Sequence, residues 1–510
     1  MEILRKHQKT AVLLIAPETG RLSENMGPLA RYISGKSGGL GEVIAALCEG
    51  LTQRGIECHL ATLNLKKRFQ RECHLDEESW IAIRHHLDPG RIHLVNSSIF
   101  SYLDNAYAGD PLQNAAEFQR QIVNSVIDNM MAKYEGKLII HSHDWMAGGV
   151  ITAYAKRWRC PVLHTVHNVH TGQLPLDILA GVEMEPLKPY LHFSNGNGNG
   201  RRCIDSQATA IKNADLVSFV GSRFLQEAVD GHFSDNSVFS LSIRQEIRAK
   251  YDHGATLTIF NAPAPSLYPE RCGHLVALYG PDDDIIAAKR ENLVEFQRRT
   301  GLNVNPEAIL LYWPSRLDPT QKGIHLLEDI AQRFVIDHGD TQMAIVGDGV
   351  GNDRIHEEIC GRIAWSSGGK IVYHRFNEPL SMLGFAAASD VFGASLYEPC
   401  GQIDQIGNLY GATATNRDTG GYHDKIKELT LAVDGAPQDS GNGFLFRDYD
   451  TGGLWYGLYR SDEFHRRPAE VREKQLKRIM RETRQKYSMD RMVTEYIAAY
   501  ERINGGVPLI

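Results

Sequence analysis

None of the eight cysteines, at positions 48, 58, 73, 160, 203, 272, 360 and 400, forms a C-x-x-C pair. That spacing offers neither a zinc knuckle nor a disulfide framework. No run of eighteen apolar residues occurs, so no membrane-spanning helix is expected. Base is in deficit too: a net charge of −7 leaves no surplus of Lys and Arg to displace counterions from nucleic acid. The apolar stretch Ala11–Ala16 is too short for a signal-peptide core, which makes a cytoplasmic protein the expectation. Two nucleotide motifs are broken. Gly35-Lys36-Ser37 ends like a P-loop, but its first glycine would fall on Ala30, and Gly347-Asp348-Gly349-Val350-Gly351-Asn352 lacks the last glycine of the dinucleotide fingerprint. In His141-Ser142-His143-Asp144 the acid follows histidine directly, the wrong spacing for a zinc hydrolase, so no metal site and no cofactor are expected.

At 510 residues the chain is too long for one core, and its 42% hydrophobic and 23% charged residues are ordinary for a globular protein. Short apolar runs recur, each followed by a segment of helical period. Examples are Val12–Ala16, Leu138–Ile140, Pro161–Val166, Leu216–Val220, Ile309–Trp313, Met343–Val346, Ile371–Tyr373 and Val391–Ala394. Buried strands alternating with helices predict an α/β fold with parallel sheets and crossover helices. The pattern breaks in the Pro-rich stretch Asn261-Ala262-Pro263-Ala264-Pro265 and resumes near Ala308. This predicts two Rossmann-like domains facing across a cleft, 1–267 and 268–488, with 489–510 as a C-terminal helix crossing back to pack on the first. The Asn/Gly repeat at 195–200 reads as a loop, either a lid or a plain surface turn.

Phosphate-friendly chemistry appears in both halves. Lys36-Ser37-Gly38-Gly39-Leu40-Gly41 lies near the start, and Ser315-Arg316-Leu317 with Gln321-Lys322-Gly323 lies in the second half, followed by Glu398-Pro399-Cys400-Gly401. Glycine turns let backbone N–H groups approach an anion, and Lys and Arg neutralise its charge. Two such half-sites point to a diphosphate and hence to a nucleotide-activated substrate. His141–Asp144 and His164–His170 follow successive strand-like runs, placing them where open α/β sheets bind ligands. His141 and His164 read as core histidines within the strands. Asp144 and His167, later in their runs, are better placed to meet a ligand.

With these residues in hand, the chain resembles the bacterial glycogen synthase and plant starch synthase family, retaining glucosyltransferases of the GT-B fold. Lys36-Ser37-Gly38-Gly39-Leu40-Gly41-Glu42-Val43 is similar to K-T-G-G-L-G-D-V, and His141–Trp145 and Thr165–Asn168 are similar to H-x-H-D-W and T-x-H-N. Ser315–Gly323 resembles S-R-L-x-x-Q-K-G with one extra residue, and Glu398–Gly401 and Arg417–Gly421 resemble E-P-C-G and R-x-T-G-G. The resemblance implies that Arg316 and Lys322 stabilise the departing diphosphate, an electrostatic effect of the oxyanion type. Lys36 and the amides of Gly38 and Gly39 would hold it from the other domain. Amides of Gly401, Gln402 and Ile403 would add a helix N-terminus.

On the sugar side, Glu398 would accept hydrogen bonds from donor hydroxyls, His167 would lie against the sugar, and Asp144 and Asn168 would face sugar or acceptor hydroxyls. Tyr373 would stack on the nucleobase, with Phe376 as the alternative ring, and Thr419 and Gly420 belong to the substrate-binding set. The implied activity is glucosyl transfer from ADP-glucose, or UDP-glucose, to the non-reducing end of an α-1,4-glucan. A different acceptor, or a paralogue that binds glucan or nucleotide without turnover, stays open. One departure is pointed: where the family continues E-P-C-G-L-T-Q, this chain has Gln402-Ile403-Asp404-Gln405. Asp404 must either point away from a bound phosphate or alter its grip, because like charges about 4 Å apart repel by several kcal/mol at an effective dielectric near 20.

Overall fold

The computed structural model describes residues 10–36, 38–134, 137–193, 200–232 and 238–509. The Asn/Gly repeat at 195–199 and Ser37 lie outside the described residues. The chain forms two compact units, one of Met1–Val220, Leu225–Asn261 and Met489–Ile510, the other of Gly221–Phe224 and Ala262–Ser488.

The first unit is built on β1 (Ala11–Ile15), β2 (Glu57–Leu63), β3 (Ile92–Val95), β4 (Leu138–His143), β5 (Val162–Val166), β9 (Leu216–Phe219) and β10 (Thr256–Thr258). These strands are all parallel, in the order β10-β9-β5-β4-β1-β2-β3. Every residue of β1, β4 and β5 is buried, as helices on both faces of a parallel sheet require. A small antiparallel sheet, β6 (Gln173–Pro175), β8 (Arg202–Asp205) and β7 (His192–Phe193), accompanies it. The strand order reverses between β1 and β4. At such a switch point the two following loops diverge and leave room for a ligand beyond the carboxyl ends.

The last helix, Met489–Ile503, packs on helix Gly39–Gln53 of the same unit. Gly50 makes this possible, since a β-carbon there would lie 2.3 Å from Val493 Cγ2. The Tyr500 hydroxyl reaches His141 Nδ1 at 2.8 Å, and Arg54 donates to Thr494 Oγ1 at 2.8 Å. Met492, Tyr496 and Tyr500 recur at helical spacing and form the buried face of this helix.

The second unit repeats the scheme with β11 (Ile309–Trp313), β12 (Thr341–Val346), β13 (Ile371–His374), β14 (Asp390–Gly393), β15 (Thr413–Arg417) and β16 (Gly443–Phe446), parallel in the order β13-β12-β11-β14-β15-β16. Here the order reverses between β11 and β14. The loop after β11 carries Ser315–Gly323, and the loop after β14 carries Ser395–Gly401.

Candidate active-site residues

In the first unit the switch-point loops bring Glu18, Lys36, Gly38 and Asp144 to the carboxyl ends of β1 and β4. Gly38 caps the fifteen-residue helix Gly39–Gln53. Its N–H donates to Glu18 Oε2 at 2.9 Å, so a buried carboxylate takes up one of the glycine-loop amides. Lys36 forms an ion pair with Glu42 in the first helical turn, Nζ to Oε1 2.8 Å. The loop is stitched to the segment after β1 by Gly35 N–H to Thr19 O (2.9 Å) and Gly20 N–H to Gly41 O (2.7 Å). A β-carbon on Gly41 would stand 3.1 Å from Gly20 N, a tight contact with backbone.

Asp144 adopts φ 54°, a left-handed conformation that non-glycine residues rarely hold. Its Oδ1 accepts from the His167 N–H at 2.7 Å and the Asn168 N–H at 3.2 Å, so the turn after β4 clamps the turn after β5. Burial pushes the Asp144 carboxyl up to about 7, against the pull of those two amides. His143, the last residue of β4, stacks on His167 with ring centroids 5.3 Å apart, and its Nδ1 lies 3.0 Å from His167 Nε2. His141 is a core residue, its Nε2 2.7 Å from Thr165 Oγ1, and His164 Nδ1 lies 2.8 Å from Ser142 Oγ.

Burial holds all four histidines neutral: His164 and His167 are pulled down to about 3, and His141 and His143 well below their ordinary value. This carries a pH consequence. A histidine whose pKa is lower in the fold stabilises it above about pH 6.5, where the unfolded form is also neutral, and the stability is lost as pH falls. Asp144, raised in the fold, works the other way between pH 7 and about 4. His465 joins the four histidines, and Asp390 and Asp404 join Asp144, so five histidines outweigh three carboxyls. Melting temperature should fall steadily from pH 7.5 to 5; a flat or rising profile would contradict neutral burial.

In the second unit, the backbone of 315–323 is held by Asp318, whose Oδ1 accepts from Thr320 N–H (2.9 Å) and Gln321 N–H (2.8 Å). Gln321 Oε1 in turn accepts from Arg316 Nη2 at 2.8 Å, leaving the half-exposed guanidinium oriented after the carboxyl end of β11. Lys322 Nζ is 2.5 Å from Glu398 Oε2, which also accepts from Ser395 Oγ at 3.0 Å. Burial pushes the Glu398 carboxyl up, but the charge and hydrogen bond of Lys322, with Ser395 and Lys425, outweigh it and hold the group below the usual glutamate range. The extra residue in 318–320 therefore does not prevent Lys322 from joining Glu398.

The loop of Glu398–Gly401 and that of Thr419–Gly421 are pressed together backbone to backbone. Gly421 N–H donates to Glu398 O at 2.8 Å, and a β-carbon on Gly420 would sit 1.9 Å from that same oxygen. Gly401 caps helix Gln402–Leu409 at φ 70° over the ring of Tyr422. Asp404 lies in that first turn with its charge answered from below: Lys425 Nζ is 2.8 Å from Asp404 Oδ1 and also donates to Gly401 O. Both side chains are 1% exposed. Burial raises the Asp404 carboxyl to about 6 in spite of Lys425. The residue that breaks the family pattern thus turns into the unit's interior.

Tyr373, on β13, packs against the second unit's core with its hydroxyl buried, whereas the Phe376 ring is 55% exposed. The structure thus gathers Arg316, Lys322, Glu398, Gly401 and Gly420 in one unit and Lys36, Gly38, Asp144, His167 and Asn168 in the other. Sequence reasoning missed Glu18, His143 and Lys425. For Lys425 a signal existed, since an acid in a buried first turn calls for a cation. For Glu18 the only hint is its place just after β1. Among the described residues no cluster of metal-ligating side chains occurs, and no helix is long and apolar enough to cross a membrane.

The profile of the starch synthase catalytic domain matches residues 23–238. The glycogen synthase of Geobacillus thermodenitrificans is 26% identical over 375 residues, 72% of each chain, and that of Pseudothermotoga lettingae is 26% identical over 420 residues, 80% of each. Among solved structures, the catalytic domain of starch synthase IV from Arabidopsis thaliana, bound to ADP and acarbose, superposes with a TM-score of 0.75 at 20% identity. That match covers 98% of this chain and 100% of the other, a GT-B fold with a parallel sheet in each of two domains.

Proposed function

Since this chain belongs to the glycogen and starch synthase family of glycosyltransferases, we propose that it is a retaining glucosyltransferase, moving glucose from ADP-glucose to the non-reducing end of an α-1,4-glucan. The observation that carries this reading is the Arg316, Lys322 and Glu398 cluster at the switch point of the second unit. In the reaction the bond between the sugar C1 and the phosphate oxygen breaks, and a bond from C1 to an acceptor hydroxyl oxygen forms. The acceptor proton passes to the departing phosphate, and a nucleoside diphosphate leaves.

Negative charge grows on that diphosphate as the bond breaks. Arg316 and Lys322 would stabilise it, with the amides of Gly401, Gln402 and Ile403 at a helix start. Glu398, kept ionised by Lys322, would accept hydrogen bonds from donor hydroxyls, and Thr419 and Gly420 shape the loop beside it. Phe376, the exposed ring after β13, or Tyr373 would meet the nucleobase. From the first unit, Lys36, Gly38 and Gly39 would contact phosphate, and His167, Asp144 and Asn168 would contact sugar and acceptor. For Gly38 this requires Glu18 to yield its amide. The bacterial glycogen synthases among its relatives support a cytoplasmic setting.

The test is a panel of nucleotide sugars, each incubated with and without maltooligosaccharide, reading nucleoside diphosphate release. ADP-glucose discharged only when glucan is present is the expected result. Discharge of UDP-glucose alone changes the donor, discharge onto a non-glucan acceptor changes the substrate class, and binding with no release of any diphosphate replaces the enzyme with a binding paralogue.

A further inference from the structure

We propose that the second unit carries a separate anion site, a small cavity at the amino ends of β11 and β14 that takes a tetrahedral oxyanion: inorganic phosphate or the phosphoryl group of a small phosphomonoester. The cavity, about 60 Å³, is lined by Lys289, Arg290, Glu307, Ser389, His465 and Arg472 among others. A water needs about 10–15 Å³ of such space, so the cavity has room for a few waters or one such anion.

Its lining is short of negative charge. Lys289, on helix Ile285–Thr300 and 8% exposed, donates to the carbonyls of Ala386 and Tyr410, each at 3.0 Å, and pairs with no carboxylate among the described residues. Those carbonyls end two helices, which offsets part of its charge, yet burial still lowers the ammonium to about 7. Arg472, in the first turn of helix Ala469–Lys486, has an Nε hidden from solvent with no hydrogen-bond partner among the described residues. A buried donor without an acceptor is costly, and an oxyanion is the natural partner of a guanidinium.

Arg290 and Glu307 form an exposed ion pair at the rim, N to O 2.5 Å. Two guanidiniums and the Lys289 amine thus face one carboxylate. His465 is held neutral, pulled down to about 3 by burial and by Arg472 and Lys289, and its Nε2 lies 2.9 Å from Thr413 Oγ1. Behind Thr413 lies Asp390, whose carboxyl burial raises to about 7.

The cavity is not the donor's site. Pro306, Ala308 and Ser389 line it from positions just before β11 and β14, whereas Arg316, Lys322 and Glu398 follow the carboxyl ends of the same strands.

The test titrates the full chain with sodium sulfate at constant ionic strength, by calorimetry and by thermal shift. Saturable binding at two sites is expected, the diphosphate grip, which Lys322→Ala weakens, and this cavity, where Arg472→Gln weakens it roughly tenfold or more. That side chain is partly exposed, so the variant should fold; Lys289→Met, checked by circular dichroism, is the second probe. Lys322→Ala should leave sulfate binding here unchanged. Parallel titrations with inorganic phosphate and methyl phosphate separate the two sources: equal affinity assigns a phosphomonoester, exclusion of the methyl ester a free anion. No saturable binding, or binding that survives Arg472→Gln and vanishes with Lys322→Ala, overturns the proposal.

Discussion

Replacing Lys322 by alanine is expected to lower kcat by about 10²–10³-fold, the usual loss when one donor to a developing oxyanion is removed. Two effects combine. The departing diphosphate loses a cation, and Glu398 loses the partner that keeps it ionised. With Lys322 gone, burial is opposed only by Ser395 and the deeper Lys425, so the Glu398 carboxyl rises. Activity of the variant should therefore recover partly at higher pH, where Glu398 ionises again, while the wild-type profile stays flat over the same range. A kcat within about threefold of wild type would remove Lys322 from the reaction.

The largest effect on stability is expected at Lys425. Its ammonium and the Asp404 carboxylate are both 1% exposed and 2.8 Å apart. Removing one partner of such a pair strands the other charge, typically at a loss of about 3–5 kcal/mol. Lys425→Met should destabilise the second unit by that amount, read as a shift of its urea transition. The double variant Asp404→Gln/Lys425→Met removes both charges and should recover most of the loss, because a buried pair adds little over a well-packed neutral replacement. Equal destabilisation by the single and double variants would mean that Lys425 acts through its bond to Gly401 O alone.

Much of this was legible in the chain, and the exceptions have physical causes. Continuous apolar runs such as Ala11–Ile15 and Ile309–Trp313 announced buried parallel strands. Glu57–Leu63 and Thr413–Arg417 did not, because their buried polar residues find partners that only the fold supplies: His59 binds Tyr134, and Thr413 binds Asp390 and His465. The site motifs were visible as clusters of glycine, lysine and arginine, since the backbone approach at Gly420 and Gly421 leaves no room for any other residue. What spacing could not reveal was pairing. That Asp404 would turn inward to Lys425, that Glu18 would hold the Gly38 amide, and that Lys36 would meet Glu42 all depend on side-chain direction.

The central claim is that the loops after β11 and β14 form the diphosphate grip, and equilibrium binding of ADP to the intact chain tests it most directly. Calorimetry should show saturable binding that weakens roughly tenfold to a hundredfold on Arg316→Ala or Lys322→Ala, about 1.4–2.8 kcal/mol apiece. ADP bound equally well by wild type and by both variants would contradict it.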